Sequence, residues 1–380
     1  MKDEPKTPHQ FKFLKMWTMH DDCKNVVASC WERHFVGCKM FILTQKLKHL
    51  KSTLKAWNKD VFGNVHDLVK IVETNLHQIQ AQIDASGHSN SLLDQHKLAQ
   101  INLDLALDRE EVFWKEKANI KWHLEGGRNT TYFHNIANIK AKTNKITYIK
   151  DGEQLLTEPE RIKEHITNHF KNIFCFSSVL QDGSLVDEAI PKMVSDSTNN
   201  MLTMLPSREE IYNVVFSLNK EGAPGPDGFG AIFYQSFWDI IKKDVENAVL
   251  EFFTSSWMMP NFNANTIILI PKIPNADTVS NYRPIALANF KYKIITKILA
   301  DRLASIMPII ISTEKKGFIR GRQIKDYICL ASEAINQLHK KSFGGNLAFK
   351  VDIAKAFDTM EWPFLLRVLN AFGCNSIFCN

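Results

Sequence analysis

The run "GNLAFKVDIAKAFDTMEW", Gly345 to Trp362, carries an apolar, strand-like stretch onto one carboxylate, Asp352, with a second, Asp358, six residues on. A carboxylate presented at a strand end is a hard oxygen ligand of the kind magnesium takes in phosphate chemistry. Asp358 reads instead as a cap for the following turn. No Asp, Glu or His follows in the eighteen residues after Trp362. Upstream, Arg283 precedes Pro284, which holds it extended and suits a guanidinium aimed at phosphate. Arg320 and Arg322 flank Gly321 in "GFIRGRQIKDYI"; two arginines there either cradle a phosphate backbone or are simply solvated. Further up, Arg128 lies in a basic stretch interleaved with Tyr132, Phe133 and His134, a mixture suited to phosphate and base contacts or to a surface loop with an aromatic anchor.

Those residues need positioning elements. Phe11 and Phe13 alternate as in a short strand. Leu43, Leu47, Leu50, Leu54 and Trp57 recur at helical spacing, and the pattern continues from Leu68 to Ile83. A second helical run passes from about Leu92 to Trp122 through Leu98, Ile101, Leu105 and Val112, so the expectation is an antiparallel helical hairpin with that stripe as its seam. "ITYIKDGEQLL" predicts a β-hairpin turning at Asp151-Gly152. A helix covers Arg161 to Phe174, and Ser177 to Asn200 reads as irregular linker. Ser207, with Glu210 three residues later, opens another helix. "EGAPGPDGFG" is turn chemistry, followed by a helix from about Ile232 to Trp257. "NTIILIPK" reads as a strand, "NYRPIAL" leads into a helix around Lys291–Met307, and a further helix runs to about Lys341. A strand then ends on Asp352, and a last helix opens at Pro363 and closes at Gly373.

The 380 residues carry a net charge of +6, unevenly spread. Pro260 to Lys350 holds fourteen Lys/Arg and five Asp/Glu, and Arg109 to Lys150 nine and four. A basic belt in two segments points to a polyanion or to solvated faces. The longest apolar runs are too short to span a bilayer, and the N-terminus has no apolar signal core, so the expectation is an intracellular protein of nucleus or cytoplasm, neither secreted nor membrane-bound. Seven cysteines without CxxC spacing read as free thiols rather than disulfides or a zinc site.

Taken in order, "APGPDG", "LIPK…NYRPIAL", "GFIRGRQIKDYI" and "KVDIAKAFD" resemble the fingers and first palm motif of reverse transcriptases from non-LTR (LINE-type) retrotransposons. "LKAWNKDVFGNV" and "WHLEGGRNTTYFHNIA" resemble the N-terminal extension of the same family, and "FKFLKMW" the tail of its endonuclease. The resemblance implies a helix-rich α+β chain in four parts: an endonuclease-like tail over 1–18, a helical extension with a basic loop over 19–205, fingers over 206–343, and the start of a truncated palm over 344–380.

It also implies an activity and a set of roles. Asp352 occupies the first metal-binding and catalytic aspartate, for attack of a 3′-hydroxyl on a nucleotide's α-phosphate assisted by two magnesium ions. Val351 and Ile353 flank that metal site at the nucleotide, and Phe357 falls at the steric gate against a ribose 2′-hydroxyl. Arg283 and Lys272 lie near the triphosphate or template, and Arg320, Arg322, Asp326 and Arg128 along nucleic acid. The implied partners are an RNA template, a DNA primer and dNTPs; the oligomeric state is left open. Lys315, Tyr327, the Glu125-Gly126-Gly127 run and "KAFDT" depart from the family's usual wording, as in a drifting copy. No aromatic-Ala-Asp-Asp motif follows Asp352, so the expectation is a chain inactive alone, with a non-catalytic nucleic-acid-binding remnant or a functionless pseudogene product as alternatives.

Overall fold

In the computed structural model, residues 10–61, 63–87, 89–118, 130–143, 145–175, 184–353 and 355–379 are described. Among them, after a 3₁₀ turn at Lys15–Met19, come α1 (Asp21–Trp31), α2 (Lys39–Val61), α3 (Val65–Ser86), α4 (Asn90–Ala118) and α5 (Thr130–Thr143). A short hairpin, β1 (Ile149–Asp151) and β2 (Gln154–Leu156), precedes α6 (Pro159–Phe174), α7 (Ser184–Ala189), α8 (Asp196–Thr203) and α9 (Arg208–Ser217). Next come α10 (Ala231–Ser236), α11 (Trp238–Ser255), the antiparallel pair β3 (Asn265–Pro271) and β4 (Tyr282–Ala288), and α12 (Phe290–Ile310). The last are α13 (Ile324–Gln337), α14 (Trp362–Phe372) and α15 (Ser376–Cys379). The chain is therefore helix-rich with a few short strands. No described helix is long and apolar enough to cross a membrane.

Two compact units contain these elements. The first takes the described residues of Met1–Ile149, Tyr212–Glu251 and Met258–Lys293. Its core forms where the α2 stripe Met40, Leu43, Leu47, Leu50, Leu54 and Trp57 is buried, as its spacing requires. The orphan N–H groups of Lys39 and Met40 at the start of α2 donate to the Glu251 carboxylate (3.0 and 2.8 Å), so a distant acid caps the helix where its dipole favours negative charge. Phe11 and Phe13 are buried, as their alternation predicts, but they form an extended arm and no strand. Phe13 N–H donates to the Gly228 carbonyl (2.9 Å), and the Phe13 ring packs edge-on to Phe233 and Phe237.

The hairpin of α3 and α4 forms, but not with the expected seam. Ala99 packs with Leu76 and Ile79, and Leu103 joins them, whereas Leu98, Ile101 and Leu105 are exposed. Small residues let the two helices approach, and the register that buries Ala99 and Ala106 turns the leucine stripe outward. Other expectations shift as well. Residues 130–143 form a helix rather than a loop, anchored by buried Phe133. The expected helix across 232–257 breaks at Phe237, and "YRPIAL" is a full strand opposite β3.

The second unit takes the described residues of Lys150–Ile211, Phe252–Trp257 and Ile294–Asn380. Part of the supposed linker is helical, as α7 and α8. Val194, Leu202, Ile306, Ile310, Cys374 and Cys379 make its core, with Leu369 and Phe372 packed against it. Gly373 ends α14 in the left-handed region (φ +97°), as its position after the helix predicts. Buried Asn199 then clamps that turn, donating to the Gly373 carbonyl and accepting from Asn375 N–H, both at 2.8 Å. Ser207 accepts from Glu210 N–H (3.0 Å), so the expected cap of α9 is present.

Candidate nucleic-acid and nucleotide interface

In the first unit, the motif "APGPDG" becomes a packed loop. A Cβ on Gly225 would collide with the backbone of Ala288 and Asn289, and one on Gly228 (φ +86°) with the Phe11 backbone. Asp227 is fixed inside this loop: its Oδ1 accepts from Phe229 N–H and its own N–H donates to Asn289 Oδ1, both 3.0 Å. Its Oδ2 lies 4.0 Å from Nζ of Lys291, whose side chain is 3% exposed. Lys291 donates to Thr44 Oγ1 (3.0 Å) and sits 4.9 Å over the Phe262 ring. Burial pushes the Asp227 carboxyl up, opposed by Lys291, the Phe229 N–H, Lys51 and Lys293. Burial likewise pushes the Lys291 ammonium down, opposed by Asp227. The Tyr234 hydroxyl is driven well up by burial and by Asp227. Reading the sequence missed Asp227, Asn289 and Lys291; the one available signal was the unusual glycine density of the loop facing them.

The loop meets the end of β4 at Ala288 and Asn289, and β4 carries Arg283. In β4, Arg283 stands opposite Ile270 and Pro284 opposite Leu269. Arg283 is extended, as a residue before proline should be, and its exposed guanidinium makes no hydrogen bond or ion pair with any described residue. Ile268, Ile270 and Ile285 are exposed and share its face of the hairpin by strand alternation. Lys272 is tied down: its N–H donates to the Asn281 carbonyl (2.8 Å) and its Nζ to the Ser280 carbonyl (2.7 Å). Its charge therefore closes the β3–β4 connection.

In the second unit, Arg320 is exposed and without a described partner, while Arg322 is fully engaged. Its two terminal nitrogens donate to the carbonyls of Ser312 (2.5 Å), Lys315 (2.7 Å), Ile311 (2.9 Å) and Pro308 (3.1 Å). A guanidinium spread over the last carbonyls of α12 and the loop after it is a helix C-cap, with only Nε left over. Asp326 lies exposed in the first turn of α13, where an acid complements the helix dipole. Arg128 lies outside the described residues.

Asp352 corrects a sequence expectation. Residues 346–353 form no strand, and Asp352 is exposed together with Val351 (83%), Ile353 (71%) and Phe357 (91%). A strand needs neighbours for its backbone groups and side chains, and no described strand pairs with this run. Lys355 takes φ +52° and its carbonyl accepts from Asp358 and Thr359 N–H, which shapes the turn after Asp352. No group of three metal-ligating side chains occurs among the described residues. Among the described residues Asp352 is thus a single exposed carboxylate, and magnesium in phosphate chemistry is held by one or two carboxylates together with phosphate oxygens.

Asp352, Arg283, Lys272, Arg320, Arg322, Asp326 and Phe357 all fall within one homologous segment, residues 270–380, which match the reverse transcriptase (RNA-dependent DNA polymerase) family. Residues 270–380 are thus similar to reverse transcriptases, and the chain more widely is similar to proteins of non-LTR retrotransposons. It is 23% identical over 333 residues to the transposon TX1 uncharacterized 149 kDa protein of Xenopus laevis, covering 86% of this chain and 25% of that protein. It is 27% identical over 163 residues to the retrovirus-related Pol polyprotein from type-1 retrotransposable element R2 of Nasonia vitripennis, covering 43% of this chain and 15% of that protein. The chain therefore spans a quarter or less of the length of these curated relatives. Reverse transcriptases as a family work on a nucleic-acid template with dNTPs and a divalent metal.

Proposed function

We propose that this chain is the fingers and early palm portion of an RNA-directed DNA polymerase, preceded by its N-terminal extension. It holds an RNA template and DNA primer while dNTPs are joined to the 3′-hydroxyl. The observation that supports this best is Arg283: an unpaired guanidinium on an exposed β-hairpin, inside the segment matched to the family, beside exposed isoleucines. Arg283 would bind triphosphate or template, Arg320 the template strand, and Lys272 would keep the hairpin connection closed. Asp352 would contribute one carboxylate to the divalent metal used by the family, with Val351, Ile353 and Phe357 around the nucleotide. With one carboxylate in an open setting, the 380-residue chain alone binds nucleic acid and does not extend a primer. The compartment proposed is intracellular, nucleus or cytoplasm.

Primer extension on an RNA template with dNTPs and magnesium tests the catalytic part. Incorporation that vanishes in Asp352→Asn overturns the proposed inactivity. Template binding is read separately, by the loss of affinity in Arg283→Ala; a chain that does not bind RNA even at low salt overturns the whole reading.

A further inference from the structure

Helix α2 carries six lysines from Lys39 to Lys59 and no Asp or Glu in that span. Lys46 is used within the fold, 2.9 Å from Asp244. Lys48, Lys51, Lys55 and Lys59 follow at spacings of three and four, which places them along one face beside the buried leucine stripe. The ammonium groups of Lys48, Lys55 and Lys59, all exposed residues, make no hydrogen bond or ion pair with any described residue. Lys51 lies partly buried with its Nζ 5.2 Å over the Phe11 ring, and burial followed by repulsion from Lys55 lowers its pKa. Like charges three or four apart weaken a helix, and an ordinary solvated face mixes signs to avoid that. The nearby carboxylate does not relieve the row, because Asp227 is already shared among Lys291, Lys51 and Lys293. The four lysines extend over roughly 17 Å of helix, a row rather than a point.

We propose that the Lys48, Lys51, Lys55 and Lys59 face of α2 is a track for the phosphate backbone of single-stranded RNA. The proposal rests on the template-handling reading above and adds a second contact surface to it, on the N-terminal helices rather than on the matched segment. A single row of cations suits one strand. A lipid surface fits less well, because the leucine stripe of α2 is buried in the core and Phe41 is the one large apolar side chain of the helix left exposed.

The test is fluorescence anisotropy of the full 380-residue chain with a labelled, unstructured oligouridylate, titrated with salt. The Lys48→Ala/Lys51→Ala/Lys55→Ala/Lys59→Ala variant is compared with a charge-matched control, Lys24→Ala/Lys70→Ala/Lys97→Ala/Lys242→Ala. Loss of four phosphate contacts should reduce the slope of log affinity against log salt by about 3, since each contact on a single strand contributes roughly 0.7. The control should keep most of its slope. Equal losses in both variants, or an unchanged slope in the α2 variant while the parent binds, overturn the track and leave the template reading standing. A parent chain that does not bind overturns both. Binding of phosphatidylserine vesicles that depends on the four lysines, without dependence for RNA, also overturns it.

Discussion

Gly228 and Phe11 are in backbone contact: the Gly228 carbonyl accepts from Phe13 N–H, and any Cβ on Gly228 would enter the Phe11 carbonyl. A loop in the middle of the chain thereby fixes an arm more than two hundred residues earlier. Gly228→Ala should destabilise the protein by about 1–3 kcal/mol from the left-handed backbone alone, with the collision adding to it. Thermal unfolding checks this against Gly152→Ala, which shares a positive φ but has open space around it. Equal shifts in the two variants would show that the Phe11 contact contributes nothing.

The Asp227–Lys291 pair has a definite pH signature. Burial raises the folded-state pKa of Asp227, so between the unfolded value of 3.8 and that raised value the folded chain holds a proton the unfolded chain has lost. Its contribution to stability is full below pH 3.8 and is lost as pH rises through the folded pKa. Lys291 is lowered below 10.5, so its burial cost is relieved as pH rises from its folded pKa toward that value. Urea unfolding of Asp227→Asn across acidic pH should show a flatter profile than the parent.

The same two residues should couple in a double-mutant cycle. Asp227→Asn leaves the buried Lys291 ammonium without its carboxylate and should cost about 3 kcal/mol, Lys291→Met leaves the half-buried Asp227 and should cost less, and the double variant should cost less than the sum. Simple additivity at neutral pH would count against the pair.

In the second unit, Arg302 forks onto Glu210 through Nε and a terminal nitrogen (2.9 and 2.8 Å) and donates to the Leu202 and Met204 carbonyls (3.1 and 2.6 Å). Arg302→Ala should lower stability by about 3–5 kcal/mol, and Arg302→Lys should recover part of it, since lysine lacks the planar fork. Guanidinium chloride unfolding measures both.

Arg320 and Arg322, alike in sequence, should behave oppositely. Arg322→Ala strips carbonyl caps from the end of α12 and should lower the thermal midpoint. Arg320→Ala should leave the midpoint unchanged and weaken RNA binding in a salt-dependent way. A swapped pattern would refute this division of roles.

Periodicity and local chemistry determined much of the fold. The buried face of α2, the Ser207 cap, the turn after Asp151, the closure of α14 at Gly373 and the extended Arg283 were all legible, because each depends on residues within a few positions of one another. The resemblance to reverse transcriptases was legible too, since the ordered motifs are local strings. Which helix face meets another was not: Leu98, Ile101 and Leu105 have the spacing of a seam, yet close approach through Ala99 and Ala106 turned them outward. Nor was the use of each charged group. One arginine of the Arg320–Gly321–Arg322 run caps a helix and the other is free, Asp227 is half-buried beside the buried Lys291, and Asp352 stands in solvent without a strand. Such outcomes depend on partners far away in the chain, and only the tertiary structure brings those partners together.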